Sequence, residues 1–208
     1  FSIEGGGQAL MRGAIRHAGT LGNNWGYKLS GETMQGTDWK YNDPNEPATF
    51  PTTAPAGRAG TPLQRDFNLK RWSGEFRLDY KPSDDFENIF TTGYTKVGSA
   101  IEITGAFGAA QVKNWTYSNF QDRFRYKKFF AQVFLNTNNS GNADPNDLSG
   151  TYYLRTGIPV VDKSTVLVGQ VQQGFNIGAA KFVAGADYIK TARSEGHTSE
   201  LQSRETIS

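Results

Sequence analysis

Two histidines, His17 and His197, are the only imidazoles in the 208-residue chain, and there is no cysteine. Imidazole is the side chain best suited to moving protons near neutral pH, so acid–base catalysis or a Ser-His-Asp arrangement would have to be built on one of these two. His197 lies in a polar tail without an element pattern, and His17 stands beside Arg16 in a stretch that reads as strand. The acids Asp84 and Asp85 fall in a turn, where both are solvated. No catalytic residue is therefore assigned, and no enzyme is expected. Without thiols there are no disulfides and no thiolate metal sites. Asn142, Asp144, Asn146 and Asp147 gather oxygen atoms of the kind a calcium ion takes, but the glycine and distal glutamate of a calcium loop are missing. The segment is read as a hydrated loop and no metal is assigned. Gly105-Ala106-Phe107-Gly108 does not follow a strand and open a helix as a phosphate-binding loop must, and no cofactor is expected.

The residues that do carry a signal are those that alternate. From Arg71 to Tyr80, every second position is Trp72, Gly74, Phe76, Leu78 or Tyr80, and the positions between are Arg71, Ser73, Glu75, Arg77 and Asp79. Successive side chains of a strand point to opposite faces, so this segment has one apolar face and one that is charged or hydroxylic throughout. Trp25, Tyr27 and Leu29 alternate with Gly26, Lys28 and Ser30 in the same way. Asn119, Gln121, Arg123 and Arg125 stand opposite Phe120, Phe124 and Tyr126, with Asp122 intruding on the apolar side, which predicts a rim position or a bulge there. Weaker alternation predicts strands at about 86–97, 113–126, 129–137, 164–175 and 180–191 and one within 2–18, about eight in all.

Composition fits two-faced strands, with 24 Gly, 14 Phe, 9 Tyr and 4 Trp against 2 Met. No run approaches the roughly 18 apolar residues of a membrane helix. Only a closed barrel could span lipid with such strands, because it satisfies its backbone hydrogen bonds between them. The 22 basic and 20 acidic residues are dispersed, which leaves no nucleic-acid footprint.

Connections come in two kinds. Leu21-Gly22-Asn23-Asn24, Lys81-Pro82-Ser83-Asp84, Tyr126-Lys127-Lys128 and Asn176-Ile177-Gly178-Ala179 have the length and chemistry of tight reversals, whereas 38–69, 98–112 and 138–163 are long and rich in Pro, Gly, Asn, Asp and Thr. The two kinds alternate. In an up-and-down sheet every second connection emerges on the same side, so all short turns fall at one rim and all long loops at the other, as in outer-membrane barrels. A soluble sandwich mixes lengths at both ends. Aromatics cluster near expected strand ends, among them Trp25, Tyr80, Phe86, Tyr94, Trp115, Tyr117, Tyr126 and Phe129, which predicts two interfacial girdles. Arg71, Glu75, Arg77, Asp79, Arg123 and Arg125 are then expected to face a watery lumen, because Arg at the bilayer midplane costs about 2–4 kcal/mol.

Several stretches resemble the opening barrel strands of TonB-dependent outer-membrane receptors. They are Arg12-Gly13-Ala14-Ile15-Arg16-His17-Ala18-Gly19, Gly26-Tyr27-Lys28-Leu29-Ser30-Gly31-Glu32 with Asp38-Trp39, Asp66 to Gly74, Trp115-Thr116-Tyr117-Ser118 and Phe129 to Asn136. The resemblance covers about 1–191 and implies a partial antiparallel up-and-down transmembrane β-barrel, about eight strands of a larger plugged one. Barrels of this class have about 22 strands. It further implies a bacterial outer-membrane location, lipid around the wall, a plug absent from this stretch of chain through which TonB would act, and energised uptake of an extracellular nutrient such as a siderophore, cobalamin or a glycan. Trp39, Tyr41, Phe50 and Phe107, aromatics of the long loops, are the candidates for stacking on that ligand. A passive porin and a soluble carbohydrate-binding sandwich are the alternative readings. The tail from Arg193 to Ser203 resembles a translated sequencing-library adapter, differing at Gly196, so 192–208 is expected to be a non-native or disordered appendage.

Overall fold

The computed structural model describes residues 1–142, 144 and 147–193. Among these the chain forms ten strands: β1 Ser2–Gly5, β2 Met11–Leu21, β3 Trp25–Thr37, β4 Asn68–Ser83, β5 Phe86–Ile103, β6 Ala109–Tyr126, β7 Phe129–Asn139, β8 Tyr152–Tyr153, β9 Lys163–Ile177 and β10 Ala180–Arg193. All belong to one antiparallel sheet whose neighbours follow chain order, except that the two-residue β8 pairs with the far end of β6. The fold is thus an all-β up-and-down meander. It is open, since β1 and β10 are edges, and the described residues contain no second sheet to make a sandwich.

Register carries the two-faced pattern of β4 across the sheet, because residues directly opposite in an antiparallel pair share a face. Trp72, Phe76, Leu78 and Tyr80 stand opposite Thr33, Leu29, Tyr27 and Trp25 of β3. Leu78 meets Phe90 on the other side, Phe86 meets Tyr126, and Tyr126 meets Phe129. Along the short-turn rim the rings touch in sequence, Trp25 to Tyr80 at 4.2 Å, Tyr80 to Phe86 at 5.6 Å, Phe86 to Phe124 at 5.2 Å and Phe124 to Phe129 at 6.1 Å. Phe175 and Phe182 continue the row on β9 and β10. Among the described residues nothing covers this face, and Trp72 is 47 % exposed, Leu29 52 % and Ile15 59 %. At the other end the aromatic row is thinner than expected. Trp72 and Tyr94 pair at 5.0 Å, but Trp115 and Tyr117 stand opposite Val97 and Thr95 on the polar face.

Three expectations change. The first strand is a hairpin, β1 with β2, since Gly5 to Leu10 turns the chain back within the expected segment. The 98–112 stretch is mostly strand: β5 and β6 each run 18 residues and stay paired from Ser99 opposite Lys113 to Ile103 opposite Ala109, leaving only 104–108 as the connection. Periodicity missed this because neither face of the extension meets a uniform environment, and the consecutive residues Ala110 and Gln111 are both buried. Of the two expectations for Asp122, the bulge is absent, while the residue does lie toward the short-turn rim, four residues from the end of β6 at Tyr126. It pairs regularly with Phe90 and Val133, and its carboxylate accepts a 2.8 Å hydrogen bond from Asn88 Nδ2, so a neighbour on the same face satisfies it without breaking the ladder. The sheet also runs two residues beyond the expected boundary, to Arg193; the rest of the adapter-like tail lies outside the described residues.

The β5–β6 extension is the mast on which connections 38–67 and 140–162 fold. Phe50, Ala54, Ala109, Tyr152 and Leu154 bury one another, with Ala59, Leu63 and Ile101 packed around them. Gly157, at φ +72°, lets the second connection approach the first: a Cβ there would stand 3.0 Å from the Phe50 ring and 3.1 Å from Ala54. The two long connections and the hairpin therefore form one cap with its own small core.

Candidate functional site

The polar face is wired by ion pairs. Lys28 of β3 meets Glu75 of β4 at 2.5 Å, Arg77 forks onto Asp79 on its own strand at 2.6 Å, and Arg12 bridges Glu4 and Glu32 at 2.6 Å each. Arg125 lies 3.9 Å from Glu87. Toward β9 the charges give way to a ladder of amides, Gln121 to Gln132 at 3.3 Å and Gln132 on to Gln170. All six residues expected on the lumenal side, Arg71, Glu75, Arg77, Asp79, Arg123 and Arg125, share this face: Asp79 pairs with Ile89, Ile89 with Arg123, and Glu87 with Arg125.

In the cap, polar side chains replace the strand ladders that the connections lack. Gln111, fully buried, accepts the Asp66 N–H at 2.8 Å and donates to the carbonyls of Asp66 at 3.1 Å and Ala100 at 2.9 Å, pinning the end of the first connection to the mast. The Arg58 guanidinium is buried 3.8 Å over the Tyr152 ring and donates to the carbonyls of Gly157 and Leu148. Burial lowers the Arg58 pKa and raises that of Tyr152, yet arginine keeps its charge in proteins. Arg65 forks onto Glu46 at 2.6–2.7 Å with both side chains nearly covered, and sits 5.6 Å from the Tyr41 ring.

These contacts converge on a cluster at the cap surface. Arg155 donates to Asp43 Oδ2 through Nη2 at 2.8 Å and Nε at 3.3 Å, so its guanidinium holds the Asp43 carboxyl below the ordinary carboxylate range. It lies on the backbone of Gly108, where a Cβ would stand 2.6 Å from its Nε and where φ is +80°. The next residue back, Phe107, packs against Tyr153 at 5.4 Å and is 65 % exposed. Tyr41, two residues from Asp43, is 62 % exposed, and Trp39 75 %. Exposed rings backed by buried ion pairs can stack on a ligand at low entropic cost.

No family model matches the chain, nor does any curated protein or solved structure.

Of the four aromatics singled out from the sequence, Trp39, Tyr41 and Phe107 stand at the surface, while Phe50 is 6 % exposed and packs edge-on against Tyr152 in the cap core. Asp43, Tyr153 and Arg155 went unnoticed, because 112 residues separate Asp43 from Arg155 and only the meander brings them together. His17 contacts Tyr27, whose hydroxyl lies 3.1 Å from its Nδ1, and Asp84 is solvated 3.5 Å from Lys81. In the segment read as a hydrated loop, Asp147 accepts from the Ser149 N–H at 2.9 Å and from Asn142; Asn146 lies outside the described residues. The described residues bring together no group of three or more His, Cys, Asp or Glu that could hold a metal.

Proposed function

We propose that the chain is a wall segment of a TonB-dependent receptor in the outer membrane of a Gram-negative-type bacterium, taking up a nutrient ligand from outside the cell. The observation that carries this reading is the segregation of faces along β3 and β4, joined across the sheet by a row of touching aromatic rings at the short-turn rim. On those strands one side is an exposed apolar surface and the other is wired by ion pairs. Between Tyr80 and Trp72 the apolar face of β4 spans about 26 Å along the strand, which a tilt of about 40° reduces to about 20 Å, close to the roughly 25 Å apolar band of outer-membrane barrels. The resemblance of the Arg12–Gly19, Gly26–Glu32 and Asp66–Gly74 stretches to receptor strands adds the class of transporter.

In this reading the long-connection rim faces outward, and the cap presents Trp39, Tyr41 and Phe107 to the ligand beside the Asp43–Arg155 pair. The gene product that contains this segment, produced in living cells, should accumulate ligand only while the cells are energised. A protonophore that leaves accumulation unchanged would instead indicate a passive channel and end the receptor reading.

A further inference from the structure

At the long-connection end of the apolar face two lysines stand above a pair of rings. Lys96 lies directly opposite Trp72 across the β4–β5 pair, and Lys70 is the next residue of that face along β4, two positions toward the rim. Trp72 and Tyr94 pair beneath them at 5.0 Å. Their neighbours in register are Gln35 and Thr33 on β3 and Thr116 and Ser118 on β6, so the patch holds hydroxyls and an amide but no carboxylate. Asp66, four residues before Lys70, is engaged by Asn68 and Ser99 and meets the charge of Lys113. Among the described residues the ammonium groups of Lys70 and Lys96 have no hydrogen-bond or ion-pair partner.

The lysines of the short-turn rim are engaged instead. Lys81 lies 3.5 Å from Asp84, Lys128 donates to Asn176 Oδ1 at 2.9 Å, and the Lys127 ammonium stands 5.4 Å from the Tyr126 ring. A β-bulge gathers the unpaired amines at the other end. The register slips between Lys70 and Arg71, and Gly98 lets the Lys70 stem lie close, since a Cβ on that glycine would stand 3.4 Å from Lys70 Cβ. Diagonal neighbours on adjacent strands are about 7–8 Å apart, so two flexible stems can bring both ammonium groups onto one anion.

We propose that Lys70 and Lys96, with Trp72 and Tyr94 beneath them, hold the phosphate headgroup of an anionic membrane amphiphile whose acyl chains lie down the apolar face over Phe76 and Leu29, which stand opposite each other on β4 and β3. This rests on the reading of that face as lipid-facing. A water-soluble anion would gain nothing from the exposed rings and aliphatic side chains below the amines. An amphiphile carries charge and apolar chain in the same order as the surface does. Amphipathic rings prefer the headgroup level, which puts the two lysines at the depth of the phosphates.

The test uses the gene product that contains this segment, carrying Phe76→Cys labelled with bimane, in phosphatidylcholine vesicles. A small, equal fraction of brominated phosphatidylglycerol or brominated phosphatidylcholine is added, and bromine quenches the label only where a lipid chain reaches position 76. Phosphatidylglycerol is expected to be enriched there at least about fivefold over phosphatidylcholine, the scale of one lysine at an anionic surface, and salt should reduce the enrichment. The variant Lys70→Gln, Lys96→Gln should lose the preference yet keep its quenching by phosphatidylcholine, which shows that it is folded and inserted. Lys70→Arg, Lys96→Arg should retain the preference. Quenching by both lipids alike, or an undiminished preference in the glutamine variant, would overturn the proposal and leave the membrane-wall reading standing. Displacement of the lipid by soluble glycerol phosphate at constant ionic strength would also overturn it, since that is the behaviour of a free-phosphate site. Quenching by neither lipid would end both readings.

Discussion

Two phenylalanines in the long connections look alike in the sequence and differ in the fold. Phe50 fills the cap core against Tyr152 and Gly157, whereas Phe107 stands at the tip of the β5–β6 hairpin. Phe50→Ala is expected to destabilise the cap by about 3–5 kcal/mol, the usual cost of emptying a buried aromatic site. Phe107→Ala should stay within about 0.5 kcal/mol of the parent in urea unfolding while weakening ligand binding. Nothing local separates the two, because burial in a loop depends on which distant segment folds over it. Asp122 teaches a related lesson. An acid among Phe120, Phe124 and Tyr126 reads as an interruption, yet Asn88 supplies its hydrogen bond across the strand pair. Asn88→Ala should cost about 1–3 kcal/mol by leaving that carboxylate without its donor, and replacing both residues with leucine should be close to neutral in detergent.

At the scale of elements, the strands whose two faces meet different surroundings were readable and the rest were not. β4 could be placed from Trp72, Phe76, Leu78 and Tyr80 alone. The outer halves of β5 and β6 could not, because they are held by backbone pairing and by the connections that fold over them, so their side chains follow no period of two. The same polar contacts predict how the cap responds to acid. Arg155 lowers the Asp43 pKa, and Ser149 lowers that of Asp147. At Asp66 burial alone would raise the pKa, but hydrogen bonds from Asn68 and Ser99 outweigh it and the net shift is downward. Carboxyls more acidic in the folded state than the unfolded value of about 3.9 contribute stability that is complete above about pH 4 and is lost as the pH falls through their folded values. Hydrogen exchange at pH 6 and pH 3 should therefore show residues 48–63 losing protection at the lower pH, while the β3–β4 ladder below them keeps its own. Unchanged protection of the cap at pH 3 would mean that these carboxylates do not hold it.

At the scale of the whole molecule, the described residues form one sheet with two open edges and two faces that differ most along β3 and β4, apolar on one side and ionic on the other. Its all-β meander and the rim at which connections 38–67 and 140–162 emerge were legible from alternation and turn chemistry, whereas the β1–β2 turn was not. The joining of the long connections into a single cap was not, since that depends on contacts such as Arg58 to Gly157 between segments 99 residues apart. The most direct measurement places single cysteines along β4, at Arg71, Trp72, Glu75, Phe76, Arg77 and Leu78, in the gene product inserted in outer membranes, and compares labelling by a lipid-confined reagent with labelling by a water-borne maleimide. The expected result is strict alternation, with positions 72, 76 and 78 reached from lipid and 71, 75 and 77 from water. Labelling of positions 72, 76 and 78 by the water-borne reagent alone would contradict the reading of this sheet as a membrane wall.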